Sequence, residues 1–134
     1  METDIFEALR LKKRKQYMKL IEVSDITNEL AQAAERRDEV AVRMLLNMRQ
    51  GLLIELSEIE AGVWEDVNSR PEEEAILLGA VLSAKEAAEG ASGGLAELAS
   101  QVLKNNQLLD KICTVDKRVS LKIGGGRSFY NSFR

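Results

Sequence analysis

Val42, Leu45, Arg49, Leu52, Leu56, Ile59 and Val63 follow one another in strictly alternating steps of three and four residues, and all but Arg49 are apolar. Such spacing returns to one side of an α-helix at every turn and to neither face of a strand, so the stretch folds as a helix with one side covered. The exception, Arg49, has a stem long enough to lie along apolar surface while its guanidinium reaches solvent or an acidic neighbour. A long side chain of this kind within a seam is a packing residue before it is a ligand-binding one.

The same alternation runs through an earlier segment, over about 4–35, at Phe6, Leu9, Lys13, Gln16, Leu20, Val23, Thr27, Leu30 and Ala34. Lys13 and Gln16 make its middle polar, and Tyr17 and Ile21 widen the stripe, as expected of a helix that touches two neighbours. Composition agrees with an all-α class: 31% of residues are charged, 4% are aromatic and there is one proline, the profile of long helices rather than of sheets.

Punctuation divides the pattern into three long helices, predicted at 4–35, 38–67 and 71–123. Asp38 is placed to cap the second. Asn68-Ser69-Arg70-Pro71 interrupts the pattern because proline disfavours helix in the residue before it. Ser69 as N-cap, Pro71 in the first turn and Glu72-Glu73-Glu74 at the positive end of the macrodipole then start the third helix. Gly90, Gly93 and Gly94 cost roughly 1 kcal/mol each in a helix interior. They either loosen this helix or allow a close helix approach, and the reading favours a continuous helix with a weak point at 90–94. Short connections between long helices make neighbours antiparallel. The expected architecture is an elongated antiparallel bundle of three helices over 1–123, coiled-coil-like, followed by a flexible tail over 124–134.

Chemistry is poorly supplied. The chain has no histidine and a single cysteine, Cys113, which removes the commonest general base, the usual helical di-metal motif and any internal disulfide. Cys113 beside Ile112 reads as a small packed hydrophobe. Glu55, Glu58, Glu60, Glu65 and Asp66 are the wet side of an amphipathic helix rather than a catalytic set. Gly124-Gly125-Gly126-Arg127-Ser128 lacks the strand and the following helix that a phosphate loop requires. The expectation is a protein that is not an enzyme and needs no cofactor or metal. A net charge of −3 argues against nucleic acid as a partner, and Lys12-Lys13-Arg14-Lys15 reads as a solvated face. No stretch approaches the length of a membrane span, and the basic cluster is not followed by the apolar region and cleavage site of a leader. A soluble, cytoplasmic protein is expected.

One apolar series exceeds what the seams need. From Asn105 and Asn106 it continues through Leu108, Leu109, Ile112, Val115, Val119, Leu121 and Ile123, and ends at the glycines before Phe129, Tyr130 and Phe133. A stripe of this kind is covered either by the rest of the chain or by a partner.

Three segments carry a family resemblance: Ala33-Ala34-Glu35-Arg36-Arg37-Asp38, then Met48-Arg49-Gln50-Gly51-Leu52-Leu53, then Asn105-Asn106-Gln107-Leu108-Leu109 ahead of a further apolar helix and a Gly and Tyr tail. With the helical layout they resemble the flagellar type III export chaperones of the FlgN type, and more loosely the chaperones of the filament cap. The resemblance implies a small cytoplasmic helical protein that holds C-terminal helical segments of hook-filament junction proteins and delivers them to the export apparatus. It implies that Leu108, Leu109, Ile112, Val115, Val119, Leu121 and Ile123 pack against substrate helices, and that Tyr130 takes part in docking at the export gate. The tail departs from the family where Asn131 follows Tyr130. The alternative from another class is a structural coiled-coil protein that forms a homo-oligomer through the same stripe.

Overall fold

A computed structural model describes residues 4–83 and 93–123. Helix α1 spans Ile5–Glu35, α2 spans Glu39–Asn68, α3 spans Glu72–Leu82 and α4 spans Gly93–Ile123. The all-α class holds, but the described residues form four helices where three were expected. The expected third helix is two: Ser83 closes α3, and α4 starts at Gly93 with φ of +62°. That left-handed value is open to glycine and strained for other residues. Gly94 differs in kind, because a Cβ there would come within 3.1 Å of Phe6 Cβ, a tight contact that Phe6 would have to relieve by a few tenths of an ångström. Close approach at Gly94 thus accounts for part of the glycine run. Gly90, and the expected weak point as far as residue 92, lie outside the described residues, as does the expected tail over 124–134.

The turn between α1 and α2 is tight because both helix ends are capped locally. Asp38 N–H donates to Ala33 O at 3.0 Å and Arg37 N–H to Ala34 O at 3.2 Å, around Arg37 at φ of 57°. This is the Schellman pairing with arginine where glycine is usual. Asp38 then caps α2 as expected, its Oδ1 accepting from Ala41 N–H at 3.1 Å. The expectation for Ser69 is corrected. Its hydroxyl donates to Asp66 O at 2.7 Å, at the end of α2, while Pro71 with ψ of 149° stands at the N-cap of α3 without a side-chain cap bond. The extended backbone of Pro71 delays helix onset to Glu72, out of reach of Ser69, and the three glutamates occupy the first turn.

The chain packs as two compact units, and α1, α2 and α4 each contribute to both. The first comprises Met1–Met18 and Glu58–Gln107. Its core joins Leu9 of α1, Val63 and Val67 of α2, Leu78 of α3, and Leu98 and Val102 of α4, with Phe6 and Trp64 packed against them. A polar band lies within the same unit. Lys13 Nζ donates to Glu60 Oε2 at 3.2 Å, Gln16 Nε2 donates to the same oxygen, and Trp64 Nε1 donates to Glu60 Oε1 at 2.9 Å. Asn105 Nδ2 donates to the Lys13 carbonyl oxygen at 2.8 Å and Asn105 Oδ1 accepts from Gln101 Nε2 at 3.0 Å. The basic cluster is therefore only partly a solvated face: Arg14 and Lys15 are exposed, Lys12 pairs with Asp66, and Lys13 is buried.

Burial pushes the Glu60 carboxyl up, but the Lys13 charge and the bonds from Gln16, Trp64 and Lys13 outweigh it and hold the group below the usual carboxylate range. A carboxyl depressed in the folded state contributes stability that is complete above its unfolded value, about 4.3, and lost as pH falls through the folded value. Denaturation midpoints of the native chain are expected to fall more steeply below about pH 4.3 than those of Glu60→Gln. Equal slopes would remove Glu60 from the acid response. The difference is modest, since 41% of the side chain is exposed and solvent screens the pair.

The second unit comprises Lys19–Ser57 and Leu108–Arg134. Leu20, Val23, Leu53, Leu56 and Ile112 form one buried cluster, and Ile26, Leu30, Ala33, Leu45 and Val119 another. Ile112 meets the early residues of this α1 segment and the late ones of α2, and Val119 the reverse. In this unit α4 therefore runs parallel to α1 and antiparallel to α2. Both predicted seams point inward here: Leu20, Val23, Thr27 and Leu30 of α1, and Leu45, Arg49 and Leu56 of α2, are all buried. Among the described residues no helix is long and apolar enough to cross a membrane.

Candidate functional site

The stripe after Asn106 is covered by its own chain. Ile112 and Val119, each 1% exposed, are core residues of the second unit. Leu108, Leu109 and Cys113 are half-buried against the cluster around Ile112, and Val115 is half-buried against the cluster around Val119. Leu121 projects into solvent, at 69% exposure. Ile123 is the last residue of α4, and Tyr130 lies outside the described residues. Five of the eight expected partner-binding residues are thus drawn together in the groove that α1 and α2 form.

At the centre of that groove stands a fully buried ion pair. Arg49 Nη1 donates to Asp116 Oδ1 at 2.8 Å and to Thr27 Oγ1 at 3.2 Å, and the Thr27 hydroxyl donates to Val23 O at 2.7 Å. The Arg49 and Asp116 side chains are 1% and 0% exposed. Arg49 was expected to reach solvent or an acidic neighbour, and the acidic neighbour is what it meets. Each helix supplies one member: Thr27 from α1, Arg49 from α2, Asp116 from α4. Sequence reasoning passed over Asp116. The signal was available in its spacing, four residues after Ile112 and three before Val119, which is a seam position, and its charge is the complement of the one polar seam residue in α2.

This arrangement decides how α4 is held. Buried residues between Leu108 and Lys122 are Ile112, Asp116, Val119 and Ser120; half of them are polar. A buried ion pair adds little net stability over apolar residues of the same volume, because desolvation offsets the attraction, but it penalises any register that separates the charges. The Ser120 hydroxyl is buried with no hydrogen-bond partner among the described residues, which costs about 1–3 kcal/mol. In the second unit α4 is therefore fixed in register, with Leu108, Leu109, Cys113 and Val115 half-buried beside these positions.

Other surfaces offer less. A shallow hollow lined by Arg10, Glu97, Gln101 and Lys104 in the first unit is open to solvent and partly filled by the Arg10–Glu97 pair at 4.0 Å. Among the described residues no group of three or more His, Cys, Asp or Glu side chains is placed to hold a metal. On α2, Val40, Met44, Met48 and Ile54 are at least half exposed.

No protein-family model matches the chain, and no curated protein and no solved structure is significantly similar to it.

Proposed function

We propose that the chain is a non-enzymatic chaperone that holds amphipathic helices of other proteins in the groove between α1 and α2 of its second unit. The observation that carries this reading is the seating of α4 there: an amphipathic helix lies in the groove with polar residues at two of its four buried positions. A helix with more apolar surface can compete for such a seat, because buried apolar area contributes about 25 cal/mol per Å² and Asp116 and Ser120 supply almost none. The stripe is then the resident occupant as well as a binding element. Once released, its Leu108, Leu109, Ile112, Val115 and Val119 cover the incoming segment from the other side.

The resemblance to the FlgN type supplies the identity of the client: C-terminal helices of hook-filament junction proteins, held in the cytoplasm and passed to the type III export apparatus. Self-association through the stripe requires the same release of α4, so it gains nothing from the geometry. The test is direct. A purified hook-filament junction protein mixed with the full chain is expected to co-elute with it and to lose its tendency to aggregate. Failure to co-elute at tens of micromolar would defeat the flagellar assignment.

A further inference from the structure

The exposed side of α2 in the second unit has a symmetry that its own fold does not use. Arg43, Asn47, Gly51 and Glu55 follow one another in steps of four and form one row along the helix surface. All four are exposed, and a Cβ added at Gly51 would meet nothing within 4 Å. Val40, Met44 and Met48 make the neighbouring row and Ile54 stands close to Gly51, three residues on; each of these apolar side chains is at least half exposed. Large apolar side chains left open together mark a surface that meets a partner. The charges say which partner. Arg43 and Glu55 stand six residues before and six after position 49, and Asn47 and Gly51 two before and two after. A second copy turned end over end about that point therefore presents Glu55 to Arg43 and Gly51 to Asn47, each twice, as a two-fold interface requires.

We infer that this face binds a second copy of the chain, as an antiparallel two-fold dimer in which the rows Arg43–Glu55 of the two α2 helices lie side by side. Rows at steps of four align when helices cross at about −50°, the commonest crossing in globular proteins. The missing side chain at Gly51 admits Asn47 of the other copy, so the helices approach closely at the crossing point. Met44, Met48 and Ile54 flank the contact and lose exposure to water. A parallel pairing sets Arg43 against Arg43 and Glu55 against Glu55, so the charges also fix the orientation. Glu55 keeps its present partner, Lys19 Nζ at 2.9 Å from Oε2, because a carboxylate accepts at both oxygens. The dimer leaves α4 seated and is independent of client binding in the groove. One helix face falls short of the roughly 1,200 Å² of a stable interface, so association is weak and shows at about 0.1–1 mM chain.

Sedimentation equilibrium on the full chain tests it, with melting curves to establish that each variant folds. The average mass is expected to stay at 14.9 kDa at about 10 µM and to rise toward twice that value at about 1 mM. Arg43→Glu and Glu55→Arg, each alone, bring like charges together twice and are expected to weaken association by about tenfold or more. An equimolar mixture of the two variants is expected to regain it, because every charge contact between unlike copies is again between opposite signs. Gly51→Gln is expected to abolish the dimer and to raise the melting temperature, since it replaces a helix-interior glycine where the single chain has room for a side chain. A mass of 14.9 kDa at every concentration overturns the inference and leaves the face to another protein. A dimer that survives Gly51→Gln overturns it as well, because association then uses a different surface. Failure of the two charge variants to pair with each other rules out the antiparallel register and the inference with it.

Discussion

Replacing Asp116 with alanine is expected to destabilise the protein by about 3–5 kcal/mol, a large part of the 5–15 kcal/mol typical of a folded domain. The reason is asymmetry. Arg49 is 1% exposed, and without the Asp116 carboxylate the guanidinium either stays buried with that counter-charge lost or drags α2 and α4 apart to reach water. Thr27 does not substitute, because its hydroxyl, which already accepts from Arg49 at 3.2 Å, carries no charge to offset that of the guanidinium. The double replacement Arg49→Met with Asp116→Leu is expected to recover the loss and to equal or exceed the native stability, since apolar residues of similar volume avoid the desolvation of both charges. Urea denaturation measures both, and native-state hydrogen exchange places the effect in the second unit. A loss below 1 kcal/mol for Asp116→Ala would mean that the pair is relieved by water and does not hold α4 in register.

Truncating Ile112 to alanine is expected to cost about 2–5 kcal/mol by the same measurement, because it opens a cavity among Leu20, Val23, Leu53 and Leu56. Serine there costs more, as it also buries a hydroxyl. Leu121→Ser, at a side chain 69% exposed, is expected to stay within about 0.5 kcal/mol of native. The contrast matters for function. A binding defect in an Ile112 variant reports the loss of the second unit as much as the loss of a client contact, whereas a defect in Leu121→Ser with native stability reports contact alone. Unchanged stability in Ile112→Ala would show that α4 is already detached from the groove in solution.

Much of the fold is legible in the pattern of apolar residues. The alternating seams of α1 and α2 point inward where the second unit forms, and Asp38 caps α2. Misreadings fall where local rules compete. Ser69 is as good a cap for the end of one helix as for the start of the next, and only the backbone of Pro71 chooses between them. The glycines at 93 and 94 look alike in sequence, yet one is favoured by its left-handed backbone angle and the other by the proximity of Phe6. Of the site, the apolar members were legible and the acidic one was not. Its spacing from Ile112 and Val119 is that of a seam, but carboxylates are ordinarily assigned to the wet side.

The stripe shows the division most clearly. Spacing by itself determined that Leu108, Leu109, Ile112, Val115 and Val119 share one helical face and that this face must be covered, because periodicity records which residues avoid water. It does not record what they meet. Only the tertiary structure decided that the cover is the groove between α1 and α2, and that Arg49 and Asp116, 67 positions apart, meet inside it. That decision belongs to contacts distant in sequence, where a charge finds its complement on another helix and the match sets the register of both.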